Sequence, residues 1–547
     1  MPRLLTIMLV SILFVGPATA QRSAPDLILL NGKIFTSDSS HPYVEALAIR
    51  GDRIAAVGAS EKIASLAGPQ TKRIDLKGRV AIPGINDAHY HLPLNPAIFH
   101  MEFRTQDPSW QEVSDELAAA VSKSPKGTFI IGDIGPTVLY SPQATRTTLD
   151  RLAPDHPVIL NVWTGHASIS NTAALRKLGV KDDEPNPLGG FFAREPGTKD
   201  LTGAAFEFAQ FRLGRRLAEL ASQDEALRQT RDYISNAVRL GITSVQVMSI
   251  PPSAAQLVSL FGQAPTPIRV RVMRFLLTDR NRRLTQEGLD LPAKPAPLVT
   301  VSGTKWVLDG TPIERSSAMR KPYADEPDTS GQMDFTEKDM EAMLGESLAN
   351  HDQLLVHVTG DLTTETFLDA MDATGGRTVW PTRRVRIEHG DGLAPDLIPR
   401  AKDLGVIVVQ NPTHLALREL LLSRWGIERA DQLQPLQSLL KAGIPLALGS
   451  DGPFNPYLNI MLASLYPGKP QEAITREQAV IAYTLTAAYA EFAEKDKGSL
   501  ETGKLADLAV LSQDIFHAPP DDLPKTQSVL TIVGGKIVYD AKVVSAN

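Results

Sequence analysis

The chain has 547 residues and no cysteine. That excludes disulfides, a thiol nucleophile, a cysteine-ligated zinc site and a cysteine-linked lipid anchor. Any metal must be held by histidine, a carboxylate or a modified lysine. There is no long run of charge of one sign, and the net charge is -6. The chain therefore lacks the basic stripe of a nucleic-acid binder and the polybasic segment of a membrane-surface protein. Past the N-terminus no apolar run approaches the ~20 residues that cross a bilayer.

What is present is ordinary globular composition, 43% hydrophobic and 22% charged, with ample material for a large core. Met1-Pro-Arg is followed by about a dozen mostly apolar residues, then Gly16-Pro17 and Ala18-Thr19-Ala20 before Gln21. This reads as a signal peptide over 1–20, with a positive start, a short apolar stretch and an A-x-A cleavage site. The alternative, an uncleaved anchor helix, is short for a bilayer. The expected product is exported, periplasmic or secreted, with no stable membrane anchor.

Asp26–Phe35 and Leu530–Tyr539 both carry Gly-Lys-Ile inside β-branched runs, and Ala46–Val57 adds a hairpin around Gly51-Asp52. Matching β segments at opposite ends predict one small β-sandwich built from 21–84 and 500–547. Between them, apolar runs alternate with helical stretches. The runs are Arg79–Ile85, Ile242–Met248, Ile268–Leu277, Thr304–Leu308, Gln353–His357, Arg384–His389, Gly405–Gln410 and Ile444–Gly449. Eight strands in such alternation predict an α/β fold, a (β/α)₈ TIM barrel over 85–499. Roughly 150 residues separate the first two runs, far beyond ordinary loop length. They hold strand-like runs of their own, so a structured insertion over about 92–225 is expected.

Polar residues follow each run, where a parallel barrel builds its active site. His89 and His91, two apart on a strand, share a face. Alone, that pair is weak evidence in a chain with 11 histidines. His357, His389 and Asp451 add donors at the ends of later runs, and together the five suit Zn²⁺ or a similar divalent ion. Lys305 lies in a run that should be buried. A desolvated lysine loses its proton more easily and could take up CO₂ as a carbamate bridging two metals. The competing reading pairs it with Asp309 or turns it outward.

These segments resemble the amidohydrolase superfamily, and within it the branch typified by N-substituted formamide deformylases. Pro83-Gly-Ile-Asn-Asp-Ala-His-Tyr-His91 resembles its first-strand signature. Lys305–Gly310, His357–Asp361, Ile387–His389 and Gly449–Pro453 resemble later strand ends, in order, and Tyr483–Ala490 and Gly503–Val510 the C-terminal region. Thr164–Leu175 resembles a segment special to the branch. The resemblance implies that His89, His91 and Asp451 hold one ion, that His357 and His389 hold a second, and that a CO₂-derived carbamate on Lys305 bridges them. Two divalent ions are expected, zinc foremost. Two departures stand out: Asn86 where a hydrophobic residue is more usual, and Gly390-Asp391 where Ala-Gln is common.

The implied chemistry is hydrolysis of a C–N bond in an amide, formamide or cyclic amide by metal-activated water. Asp451 would move the proton, and His166 of the insertion would hydrogen-bond substrate. The expected partner is a small molecule and not a nucleic acid, and homo-oligomerisation stays open. Ester or lactone cleavage on the same fold is one alternative, because fold does not fix substrate. A catalytically silent binding barrel is another, although all six expected metal positions are filled. A serine-hydrolase reading fails: there is no Gly-x-Ser-x-Gly elbow, and Ser302-Gly-Thr-Lys305 and Ser438-Leu-Leu-Lys441 lack the elements that usually accompany Ser-x-x-Lys.

Overall fold

A computed structural model describes residues 24–544, so the leader expected over 1–20 lies outside the described residues. Eight parallel strands form one sheet: β1 (Ile85–His91), β2 (Ile242–Met248), β3 (Arg269–Phe275), β4 (Val299–Val307), β5 (Leu354–Val358), β6 (Arg386–His389), β7 (Ile407–Gln410) and β8 (Leu446–Leu448). They neighbour one another in chain order. The ends meet where Tyr90 bridges Asp451 and the Asp451 N–H donates to the His89 carbonyl at 2.9 Å. This is the TIM barrel that the alternating pattern predicts. Every residue of β2, β5, β6, β7 and β8 is buried. Helices cover the outer face and packed side chains fill the inner one, so both faces are shielded from water.

One expectation needs correcting. The run Arg79–Ile85 is not the first barrel strand. Val80–Pro83 belongs to the small β domain, antiparallel to Leu508–Leu511 and parallel to Lys33–Phe35. The barrel strand starts one glycine later. Gly84 is where the chain crosses between sheets, and a Cβ there would meet Thr243 Oγ1 at 2.1 Å. β1 escapes an apolar-run search because Asn86, Asp87, His89 and His91 interrupt it with polar side chains. β4 likewise begins five residues before the expected Thr304, with Ser302 and Gly303 breaking its apolar pattern.

The small β domain comprises a four-stranded and a six-stranded sheet drawn from both chain ends. They pack as a sandwich: Leu29, Leu47 and Ile74 of one sheet share a core with Leu508, Leu530 and Ile532 of the other. Gly51 turns one hairpin at φ +60°, and Gly534-Gly535 turn another at φ +53° and +73°. The two turns meet, for a Cβ on Gly535 would lie 2.1 Å from the Gly51 carbonyl oxygen. The segment between β1 and β2 carries its own six-stranded sheet, from Ile98–Met101 to Leu201–Glu207, with a separate core around Val113, Leu117 and Leu160. The helix Trp110–Lys123 of this segment starts where the Ser109 side chain accepts from the Glu112 N–H, an N-cap contact of ~1 kcal/mol. Among the described residues no helix is long and apolar enough to cross a membrane.

A buried polar column fills the barrel's inner face. Arg271 donates to Gln246 Oε1 (3.3 Å) and Gln353 Oε1 (2.8 Å). Gln246 and Gln353 donate onward to the carbonyls of Ala487 (3.0 Å) and Ala490 (2.9 Å), beside the helix Leu485–Tyr489. The column is satisfied at each step, as buried polar groups require.

Candidate active site

His89 and His91 end β1 on one face, their Nε2 atoms 3.2 Å apart. Lys305, in the middle of the polar mouth of β4, is 1% exposed and places Nζ 3.2 Å from His89 Nε2. Burial lowers its pKa to about 8. Asp309 is not its partner. That carboxylate accepts from the N–H groups of Thr359 (3.0 Å) and Gly360 (2.8 Å) and from Thr363 Oγ1 (2.8 Å).

His357 and His389, on neighbouring β5 and β6, pack ring to ring at 4.5 Å, and His389 lies 4.8 Å from the His89 ring. Asp451 follows β8 and closes the cluster, with Oδ1 3.8 Å from His89 Nε2 and 3.6 Å from His91 Nε2. Its Oδ2 lies 3.9 Å from His389 Nδ1. Both His389 (φ +68°) and Asp451 (φ +53°) take the left-handed backbone that non-glycine residues avoid, a strain that concentrates at functional sites. Lys305 and the five expected His and Asp residues thus converge at the C-terminal mouth of the barrel.

The donor set fits a divalent cation. Burial holds His89, His357 and His389 well below the ordinary imidazole value, and holds His91 at about 4 with Lys305 adding to the effect. The rings are neutral, and a neutral ring has one lone pair. Nδ1 is engaged in His89 by Glu388 Oε2 (2.6 Å), in His91 by the Ile250 carbonyl (3.2 Å) and in His389 by Asn411 Oδ1 (2.9 Å). That leaves Nε2 as the lone-pair nitrogen of these rings, and His89 Nε2 lies 3.2 Å from both His91 Nε2 and Lys305 Nζ. The Nε2 atom of His357 is buried with no hydrogen-bond partner. Imidazole nitrogens crowded together beside a carboxylate are a donor set that suits a divalent cation.

The insertion brings His166 to this mouth. Its ring lies 4.8 Å from that of His357, and its Nδ1 is 2.6 Å from Glu207 Oε2. Glu207 is buried at φ +49°, at the junction of its strand with the helix Phe208–Glu219. Two residues before His166, the Thr164 hydroxyl donates to the Glu314 carboxylate. Glu314 also lines a cavity of about 660 Å³ between insertion and barrel loops, with Asp107, Tyr140 and Arg424.

Several contributors escaped sequence reasoning. Glu388 was visible as the residue before His389, but its bond to His89 was not. His414 stacks on His389 at 5.3 Å, points Nε2 toward Asp451 Oδ2 at 3.9 Å, and is tied through Nδ1 to Asp391 Oδ2 at 3.0 Å. Asp391 is one of the departures noted above, and its other oxygen accepts from Gln434 Nε2 at 2.9 Å. The available signal was position: Asn411-Pro412-Thr413-His414 directly follows β7, where catalytic residues of barrels sit.

Comparison with known proteins agrees with this geometry. The model of the amidohydrolase family matches residues 72–539. The protein LONG AFTER FAR-RED 3 of Arabidopsis thaliana is 29% identical over 94% of this chain and 91% of its own length. N-substituted formamide deformylase of Arthrobacter pascens is 25% identical over 94% and 98%. A metal-dependent hydrolase from Pyrococcus horikoshii has the same fold, with a TM-score of 0.70 at 23% identity, covering 90% of this chain and 99% of that one.

Proposed function

The chain belongs to the amidohydrolase family, and on that premise we propose that it is an exported metal-dependent hydrolase that cleaves a C–N bond of an amide, formamide or cyclic amide. The observation that carries this reading is the convergence of four neutral histidines, three of them engaged through Nδ1 and the fourth with Nε2 unpartnered, on one lysine and one aspartate. His89, His91 and Asp451 would hold one ion, His357 and His389 a second, and Lys305, as a CO₂-derived carbamate, would bridge them; zinc suits this nitrogen and oxygen set. When bound, such ions bring the pKa of a water toward ~7 and polarise a carbonyl oxygen.

The protein's own groups do the rest. Burial alone would raise the Asp451 pKa, but the charges around it, with His414 and Lys305 among them, hold it below the ordinary carboxylate value. It is therefore a carboxylate, a quarter exposed, that can accept a proton from the attacking water. It returns that proton to the leaving nitrogen as the C–N bond breaks. His166, fixed through Glu207, hydrogen-bonds substrate from the insertion side. Glu314 and the cavity it lines lie on that same side, which suits them to the part of the substrate beyond the scissile bond.

Support for the amide reading comes from the formamide deformylase relative, and support for export from the leader-like first 20 residues. The test is metal analysis followed by a screen of N-formyl compounds, simple amides, hydantoin-like cyclic amides and matched esters. Two divalent ions per chain and turnover of a C–N substrate are expected. Full activity in metal-free protein, or turnover of esters alone, overturns the proposal. The secreted protein should begin at Gln21.

A further inference from the structure

The Nδ1 atoms of these rings are not held alike. His91 leans on a backbone carbonyl and His389 on a neutral side-chain amide. His89 alone among the four has a carboxylate within hydrogen-bond distance of Nδ1, Glu388 at 2.6 Å, with both side chains fully buried. Glu388 is itself fixed at both oxygens by Arg386, through Nε to Oε1 at 2.7 Å and Nη2 to Oε2 at 3.1 Å. Arg386 also donates from Nη2 to the Ala88 carbonyl at 2.8 Å and from Nη1 to Gln246 Oε1 at 2.5 Å. Ala88 is the residue before His89. The contacts thus form a closed loop, from the β1 backbone through Arg386 and Glu388 back to the His89 ring.

Two consequences follow from elementary chemistry. The loop fixes the His89 tautomer and ring plane, and an anionic acceptor makes the opposite nitrogen a stronger donor. Arg386 sits against Glu388 at both oxygens, so the buried carboxylate is not left without a partner. The His357–His389 pair has no such support, and the Nε2 atom of His357 lies unpartnered.

We propose that the Arg386–Glu388 clamp on His89 makes the His89–His91–Asp451 position the first of the two metal positions to fill, and the His357–His389 position the second and weaker. Glu388 and Arg386 are positioning residues, because they act through His89 and touch neither ion. The inference rests on the two-ion reading above and adds an order to it.

The test uses zinc alone. The full chain is stripped of metal and titrated with chelator-buffered zinc in bicarbonate, and native mass spectrometry counts ions per chain. The wild-type protein should fill in two steps at least tenfold apart. Glu388→Ala should weaken the first step by about 10–100-fold, the scale for loss of a ligand's outer partner, and bring the two steps together. Glu388→Gln keeps an acceptor for Nδ1 but removes its charge, so it should restore only part of that loss and leave the gap narrowed, a graded response that a merely structural role would not produce. Asn411→Ala should weaken only the second step. If Glu388→Ala does not fold, as judged by circular dichroism, the double variant Arg386→Gln/Glu388→Gln carries no unpaired charge and should still narrow the gap between steps. Equal steps in the wild-type protein, or a first step indifferent to Glu388, overturn the clamp. Failure of the wild-type protein to bind any zinc overturns the two-ion reading itself.

Discussion

Gly449→Ala tests whether the barrel seam holds the site together. The glycine follows β8 and faces β1 across the line where the sheet closes. A Cβ at this position would lie 2.5 Å from His89 Cβ, 2.6 Å from His89 N and 2.9 Å from His89 Cα. Ordinary contact begins near 3.4 Å, so the two strands must part by about 0.9 Å, the difference between 3.4 and 2.5. None of the three atoms can swing aside, since each belongs to the His89 backbone or its first side-chain bond. The displacement falls on His89, His91 and Asp451 together, because the Asp451 N–H bonds the His89 carbonyl and the Ser450 N–H bonds Asp87 Oδ1, both at 2.9 Å. Overpacking of this kind costs about 1–3 kcal/mol of stability, and a misplacement near 1 Å costs ~10²-fold in rate. We expect Gly449→Ala to fold with a lowered melting temperature, to bind its first zinc at least tenfold more weakly, and to turn over ~10²-fold more slowly. Thermal melts, zinc titration and steady-state kinetics measure the three effects. A variant with wild-type zinc affinity and turnover would refute the reasoning, because the seam would then be elastic and the ligand positions independent of it.

Other substitutions separate the roles within the cluster. Lys305→Ala should lower metal occupancy, and short carboxylic acids should partly restore it by filling the gap beside His89; retention of two ions and normal turnover would make the lysine structural. Asp451→Asn keeps an oxygen ligand and removes the proton acceptor, so it should hold much of its metal yet lose ~10²-fold or more in turnover, read by parallel metal analysis and kinetics. Glu207→Gln loosens the hold on His166 Nδ1 and should reduce kcat/KM about tenfold while leaving metal content unchanged, the modest scale of a neutral-for-charged hydrogen bond; a change in metal content would place Glu207 in the metal site instead.

How much of this was legible in the chain depends on where each contact partner lies. The strands β2, β3 and β5–β8 could be read directly because a parallel strand covered on both faces is rich in apolar and β-branched residues, even where Gln246, Arg271 and Arg386 interrupt the run. β1 could not, because polar side chains of the candidate site interrupt it. An apolar-run search slid past it onto Val80–Pro83, which the single residue Gly84 separates from it. Several residues of the candidate site were legible for the opposite reason. His357, His389 and Asp451 each stand where an apolar run stops, a local event that a reader of sequence can see.

Their supports were not legible, because each lies far off in the chain. Glu388 reaches His89 across 299 residues, Glu207 reaches His166 across 41, and Asp391 reaches His414 across 23. No pattern of spacing encodes such pairs, since they come together only when β1 and β6 face each other across the barrel and the insertion folds over its mouth. A lone histidine at a strand end states only that a nitrogen is available. Which nitrogen faces inward follows from the group that takes the other one, and that group is supplied by barrel closure. Donor identity in this protein is thus local and donor orientation is topological. That is why a substitution at the seam, such as Gly449→Ala, should disturb the site as deeply as the loss of a ligand's partner.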